Sequence, residues 1–241
     1  YFGFYYAHRF TLGLFPILVS TVILAYYCAL CAWTLWFAVE FVLGNAPTFS
    51  LLQQSYSPLI AFAVVFASAL YISLRGISKG IEPVSGYLVP ILFAFLLLLF
   101  VYSLTLPNAV SHLADKLLPE PQKALDARTW YYALSQVLFS LSVGSGIMYS
   151  YGIHLKSGRG IFSSALQVAG ADTAASLLAL FTITIMAAAV SSSAGGLALS
   201  FEALPAFFAA GGLAGAIVGA VFFLLLFSAA FTSVLSMIEH A

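Results

Sequence analysis

The sequence predicts an all-α fold, a polytopic bundle of membrane-spanning helices, and three observations carry that expectation. Of the 241 residues, 63% are hydrophobic and only 7% are charged, against roughly 25% charged in soluble domains. The mean hydropathy is +1.07, so a compact water-soluble fold would wear an apolar exterior and aggregate. The apolar runs are continuous and do not alternate, which suits helices and argues against the strands of a barrel. The 8 basic and 8 acidic residues cancel and leave no net field to attract nucleic acid. The chain starts on tyrosine and stops within a helical pattern, so it reads as a single transmembrane domain that is a fragment of a longer protein.

A helix needs ~20 apolar residues to cross ~30 Å of hydrocarbon. Six stretches qualify, at about 12–43, 58–75, 84–106, 129–152, 168–190 and 213–238. The first is long for a simple crossing, so it tilts or extends beyond the bilayer. It carries Tyr26 and Tyr27 in "LAYYCAL". A buried tyrosine hydroxyl wants a hydrogen-bond partner, although aromatic packing alone also accounts for such a pair. Cys28 and Cys31 lie one turn apart in the same span. They are too few for a disulfide framework, and a redox pair needs a wet thiol, so packing is their reading.

The loops set the orientation. Arg9, then Arg75 and Lys79, then Lys156 and Arg159 fall on one side. The other side holds Lys116, Lys123 and Arg128, interleaved with Asp115, Glu120 and Asp126. Basic excess marks the cytoplasmic face, so the first span starts inside and the sixth ends inside. The outer loop at about 191–212 contains "SFEALPAFFAAGG", apolar and broken by Pro205. It is expected either as a re-entrant helical hairpin forming a lid or as a loop lying on the interface.

The fourth span contains "FSLSVGSG", residues 139–146. Gly144 and Gly146 permit unusual backbone and close approach. Irregular backbone at membrane depth survives only inside protein or against a cavity, and a broken helix there offers carbonyls to cations and helix ends to ions. A simple packing notch explains the glycines as well. Gln136 and Ser140 stand four residues apart in the same span, and Ser142 follows. In the fifth span, Asp172 is expensive: a carboxylate at the bilayer centre costs about 2.5–3.5 kcal/mol and usually faces a cavity, an ion or a partner. Solvation at the cytoplasmic interface is the alternative, because Asp172 stands only a few residues into the span. Ser176 lies four residues on, along the same face. Together these groups offer oxygen ligands without sulfur, which suits hard cations, though membrane serines often bond only to their own backbone. "AAFTSVLSM" in the sixth span adds Thr232 and Ser233, whose hydroxyls point about 100° apart.

Taken in order, "YYCALCAWTLWFAVEF", "SLRGISKGIEPVSGYLVPILF", "YSLTLPNA", "WYYALSQVLFSLSVGSG" and "SAAFTSVLS" resemble the neurotransmitter:sodium symporter family of sodium-dependent amino-acid and amine transporters. The resemblance covers nearly the whole chain, as the third to eighth helices of a longer protein. It implies the leucine-transporter fold of two inverted five-helix repeats, with the fourth span as the broken first helix of the second repeat. By this resemblance Tyr27 would bond the substrate carboxylate, and Tyr27 with Phe139 would close over the substrate. Ile23, Ser140, Ser142, Ser145, Ser233 and Met237 would surround it. Ser140 and Asp172 would serve one sodium; the Ala229 carbonyl, Thr232 and Ser233 would serve a second. Gln136, Ser140, Asp172 and Ser176 match the family's chloride site.

Three departures matter. Asp172 stands where asparagine is usual, so a fixed carboxylate would make chloride unnecessary. Ser145 replaces a bulky aromatic, and His154 stands where a cytoplasmic-gate tyrosine is common. The short "GNAPTFSLLQQSYS" in place of a long outer loop is similar to prokaryotic members. The implied function is sodium-coupled symport of an amino acid or related small amine across the plasma or inner membrane. Its partners are that substrate, sodium ions and the lipid bilayer. Two rival classes stay open. One is a ligand-sensing membrane protein without coupled uptake. The other is an intramembrane enzyme pairing Asp172 with His154, although no HExxH, GxSxG, Walker or dinucleotide motif is present.

Overall fold

The computed structural model describes residues 10–118, 121–143, 147–148, 152, 160–189 and 196–240. His8, Arg9, Glu120, Gly144, Ser145, Gly146, His154, Lys156 and Arg159 lie outside the described residues. The architecture is all-helical. In chain order the helices are α1 (Phe10–Val42), α2 (Phe49–Gln54), α3 (Ser57–Ser73), α4 (Glu82–Leu104), α5 (Ala109–Leu117), α6 (Pro121–Ala124), α7 (Ala127–Ser140), α8 (Ile161–Ala189), α9 (Gly196–Ala210) and α10 (Gly212–His240). A π-helical turn, Ile77–Ile81, leads into α4, and another, Leu199–Ala203, lies within α9.

Among the described residues, four segments are long and apolar enough to cross a membrane: Ile17–Val42, Lys79–Leu104, Ile161–Ala189 and Gly212–His240. The second expected span is α3, an apolar helix of 17 residues. The fourth is divided: α7 ends at Ser140, the chain turns through Leu141–Val143, and it is helical again at Ile147 and Met148. The fifth begins at Ile161, seven residues before the expected 168, because Ser163, Ser164 and Gln167 continue the helix beyond the apolar window. This places Asp172 eleven residues into α8, about 16 Å from its start, well inside the helix and away from its inner mouth. The stretch expected as a lid or interfacial loop is helical over α9, with Phe201, Leu204 and Phe208 buried.

The α1–α10 pair is the spine, and α3 and α4 flank it. α8 packs on α4 rather than on the spine. Aromatic rings knit one half of the bundle. Phe223 of α10 stacks on Phe37 at 4.8 Å and on Phe41 at 5.8 Å, and Trp33 meets Phe201 edge-on at 5.8 Å. Toward the other half, Cys28, Cys31 and Ala32 pack against Val65, Ala69, Phe231, Val234 and Leu235. Both thiols are free and buried there, as packing residues. Small residues allow the closest approach: a Cβ added at Gly215 would stand 2.0 Å from the Phe208 carbonyl oxygen. Large apolar side chains remain on the outside, among them Val22 at 71%, Tyr87 at 76% and Leu98 at 61% exposure. Lipid, not water, suits such a surface.

Candidate functional site

A cavity of about 710 Å³ opens between α1, α7, α8 and α10. α1 contributes Val19, Ile23 and Tyr27, spaced by four residues along one helix face. Tyr26, the neighbour that the sequence could not separate from Tyr27, points outward at 54% exposure. α10 contributes Ala229, Ser233, Ser236 and Met237 from the facing wall. The Tyr27 phenol and the Ser233 hydroxyl both line this cavity, so the two walls of the spine present polar atoms to it.

The opposite wall comes from α7 and α8. Gln136, Phe139, Ser140 and Ser142 line it, together with Asp172. Ser140 donates to Oδ1 of Asp172 at 2.5 Å. That distance suits a hydroxyl donating to an ionised carboxylate, and it ties the end of α7 to the middle of α8. Asp172 is half-buried here. The backbone break follows directly. The amide of Ser142 donates to the Phe139 carbonyl at 3.1 Å, and that of Val143 to Leu138 at 3.1 Å. Ser142 itself has φ +53°, a left-handed conformation that costs a non-glycine residue and is held only by surrounding structure. The C-terminal end of α7 therefore points its partial negative charge at the cavity, where it favours a cation.

On α10, Thr232 donates to the Ala229 carbonyl at 2.9 Å and Ser233 to the same carbonyl at 3.2 Å. Three oxygens thus gather within one turn, with both hydroxyls bonded to the carbonyl of their own helix. Ala229 and Ser233 face the cavity, while Thr232 stands beside it.

Of the residues expected at the site, Ile23, Tyr27, Gln136, Phe139, Ser140, Ser142, Asp172, Ala229, Ser233 and Met237 come together at this cavity. Ser145 lies outside the described residues. Ser176 does not line the cavity and is exposed. Four residues advance a helix by a full turn and about 40° more, which carries Ser176 past the edge that half-buried Asp172 occupies. Sequence reasoning missed Val19, Ser135, Leu138, Ile147, Met148 and Ser236. For Val19 the signal was present: it stands four residues before Ile23 on the face that Tyr27 shares.

A model of the sodium:neurotransmitter symporter family matches residues 50–241. An uncharacterized sodium-dependent transporter of Methanocaldococcus jannaschii is 27% identical over 253 residues, covering 94% of this chain and 51% of that protein. One of Haemophilus influenzae is 29% identical over 244 residues, covering 95% of this chain and 53% of that protein. The crystal structure of MhsT in complex with L-phenylalanine matches with a TM-score of 0.83 at 31% identity, over 94% of this chain and 54% of that one. The chain spans about half the length of the curated relatives it matches.

Proposed function

The chain belongs to the sodium:neurotransmitter symporter family, and from that membership we propose that the protein carries an amino acid or related small amine across the cell membrane, driven by sodium. The family is one of transporters, and the intramembrane-enzyme reading is set aside on that ground. The observation that carries the proposal is the Ser140–Asp172 hydrogen bond at the broken end of α7, facing Tyr27 and Ser233 across one cavity.

Each group has a task in this reading. Tyr27 donates its hydroxyl to the substrate carboxylate, with Ser233 steadying the phenol. Ile23, Ser142, Ser145 and Met237 surround the substrate side chain, and Phe139 closes over it. Ser140 and Asp172 hold one sodium at the end of α7. The Ala229 carbonyl, Thr232 and Ser233 hold a second. Sodium and substrate thereby draw α1, α7, α8 and α10 toward one closed arrangement, and ligands that favour the same state raise each other's affinity. The L-phenylalanine bound to MhsT supports an amino acid as the substrate.

By the family resemblance Gln136, Ser140 and Ser176 correspond to a chloride site; Gln136 and Ser140 line the cavity with Asp172, whose carboxylate takes the place of the anion in this reading, while Ser176 lies outside it. Transport is therefore proposed to be independent of chloride. The test is uptake of labelled amino acids by the full-length protein in proteoliposomes, with an inward sodium gradient against potassium. Accumulation above equilibrium is expected. Sodium-dependent binding without accumulation would instead identify a sensor, and neither signal would refute an amino-acid ligand.

A further inference from the structure

The turn between α3 and α4 is built around two cations that no transport step uses. Gly76, at φ +76°, reverses the chain after α3. The amide of Gly80 then donates to the Gly76 carbonyl at 2.9 Å. A Cβ at Gly80 would stand 2.0 Å from the Ile72 carbonyl oxygen and 3.2 Å from the Cβ of Arg75. The segment carrying Lys79 is thus pressed against the segment carrying Arg75.

Arg75 is held in place from below. Its guanidinium lies 4.4 Å from the centre of the Tyr71 ring and donates to the Tyr71 hydroxyl. Stacking on an aromatic face leaves the outer edge of the guanidinium fork directed away from the ring. Neither Arg75 nor Lys79 has a carboxylate partner among the described residues. Glu239, the carboxylate at the inner end of α10, accepts instead from Ser73 at 3.0 Å. Glu82, three residues beyond Lys79, is exposed and leaves the turn with a net positive charge.

The surroundings are apolar and open. Leu74 is 78% exposed, Tyr87 76% and Tyr71 58%. The turn lies where α3 ends and the membrane-length segment Lys79–Leu104 begins, which is headgroup depth. Its basic excess puts it on the cytoplasmic side. A ring-held arginine, an unpaired lysine and exposed apolar flanks match the phosphate and the acyl chains of one kind of molecule.

We propose that Arg75 and Lys79 form a docking site for the headgroup phosphate of an anionic phospholipid at the cytoplasmic rim of α3 and α4. The test uses the full-length protein, extracted from equimolar phosphatidylglycerol and phosphatidylcholine, with the retained lipid counted by native mass spectrometry. The wild type is expected to retain phosphatidylglycerol in excess. A juxtamembrane cation contributes roughly a fivefold preference, so Arg75→Gln with Lys79→Gln lowers the excess by about twentyfold. Arg75→Lys keeps the charge but loses the stacked fork, and a smaller drop is expected. Should the double variant fold poorly, Lys79→Gln alone alters an exposed side chain, and a drop of about fivefold is expected. Equal retention of the two lipids by the wild type, or an undiminished excess in these variants, overturns the proposal. Release of the bound lipid by millimolar inorganic phosphate overturns the assignment to a lipid.

Discussion

Asp172 and Tyr27 line the same cavity from different helices, and under the proposed function each makes a different demand on the transported species. Tyr27 offers one hydroxyl, half-buried beside Ser233. Under the proposed function, Tyr27→Phe would remove the donor to the substrate carboxylate and leave one of its oxygens unpaired, which costs about 1–3 kcal/mol. The expected result is a substrate KM raised roughly tenfold or more, with the fold intact, measured by uptake under a saturating sodium gradient. Asp172 supplies a full negative charge 2.5 Å from the Ser140 hydroxyl. Asp172→Asn keeps the shape and the hydrogen-bond partner but removes the charge. Sodium half-saturation is expected to rise about tenfold, and the variant is expected to gain a stimulation by chloride that the wild type lacks. Uptake in chloride against gluconate checks both. Wild-type transport that demands chloride under those conditions would refute the role given to Asp172.

At the scale of elements, close packing joins α9 to the spine. Gly215 on α10 meets the Phe208 carbonyl, and the Cβ position of Gly219 lies 3.0 Å from both Phe208 and Phe41. A methyl at Gly215 cannot be absorbed by a side-chain rotation, because the obstructing atom is backbone. Gly215→Ala is therefore expected to cost about 1–3 kcal/mol by overpacking and to lower the thermal midpoint by several degrees in detergent. Gly170→Ala, at an open position on α8, serves as the neutral comparison. Four of the expected spans overlap helices of membrane length among the described residues, because apolar windows report hydrocarbon thickness, and α7 ends at Ser140, within the stretch where serines and glycines interrupt the fourth window. Helix ends were less legible. α8 starts seven residues early because polar Ser163, Ser164 and Gln167 sit comfortably in a helix at headgroup depth, where hydropathy is silent. The residues alone left Tyr26 and Tyr27 open and the family resemblance selected Tyr27; the physical reason lies in the rotation of α1 against α10, and the position of Ser176 likewise needed the rotation of α8. Rotation is set by packing partners, which a lone amphipathic signal cannot supply in helices that are apolar all round.

Over the whole molecule, the polar groups lie at a common depth. Asp172 stands eleven residues from the start of α8, and Ala229 stands eleven residues from the end of α10. At 1.5 Å per residue both are about 16 Å from an inner helix end, close to half of a ~30 Å hydrocarbon core. Two helices that run in opposite directions therefore deliver their oxygens to the same level, and Tyr27 joins them from the middle of α1. A site at the midplane can be opened to either side by tilting one group of helices against the other. The two walls are held very differently. α1 and α10 share the most extensive contact in the chain, whereas α7 leaves Trp130, Tyr131 and Tyr132 each more than two-thirds exposed. Ser140–Asp172 is a side-chain bond that joins α7 to α8. A wall so weakly seated needs further protein around it to close over a substrate. The chain spans about half of its relatives, so residues 1–241 alone are expected to insert into proteoliposomes but to accumulate no substrate, while the full-length protein does so under the same sodium gradient. Accumulation by the 241-residue chain alone would show that α7 closes without further helices, and would overturn this account of the coupling.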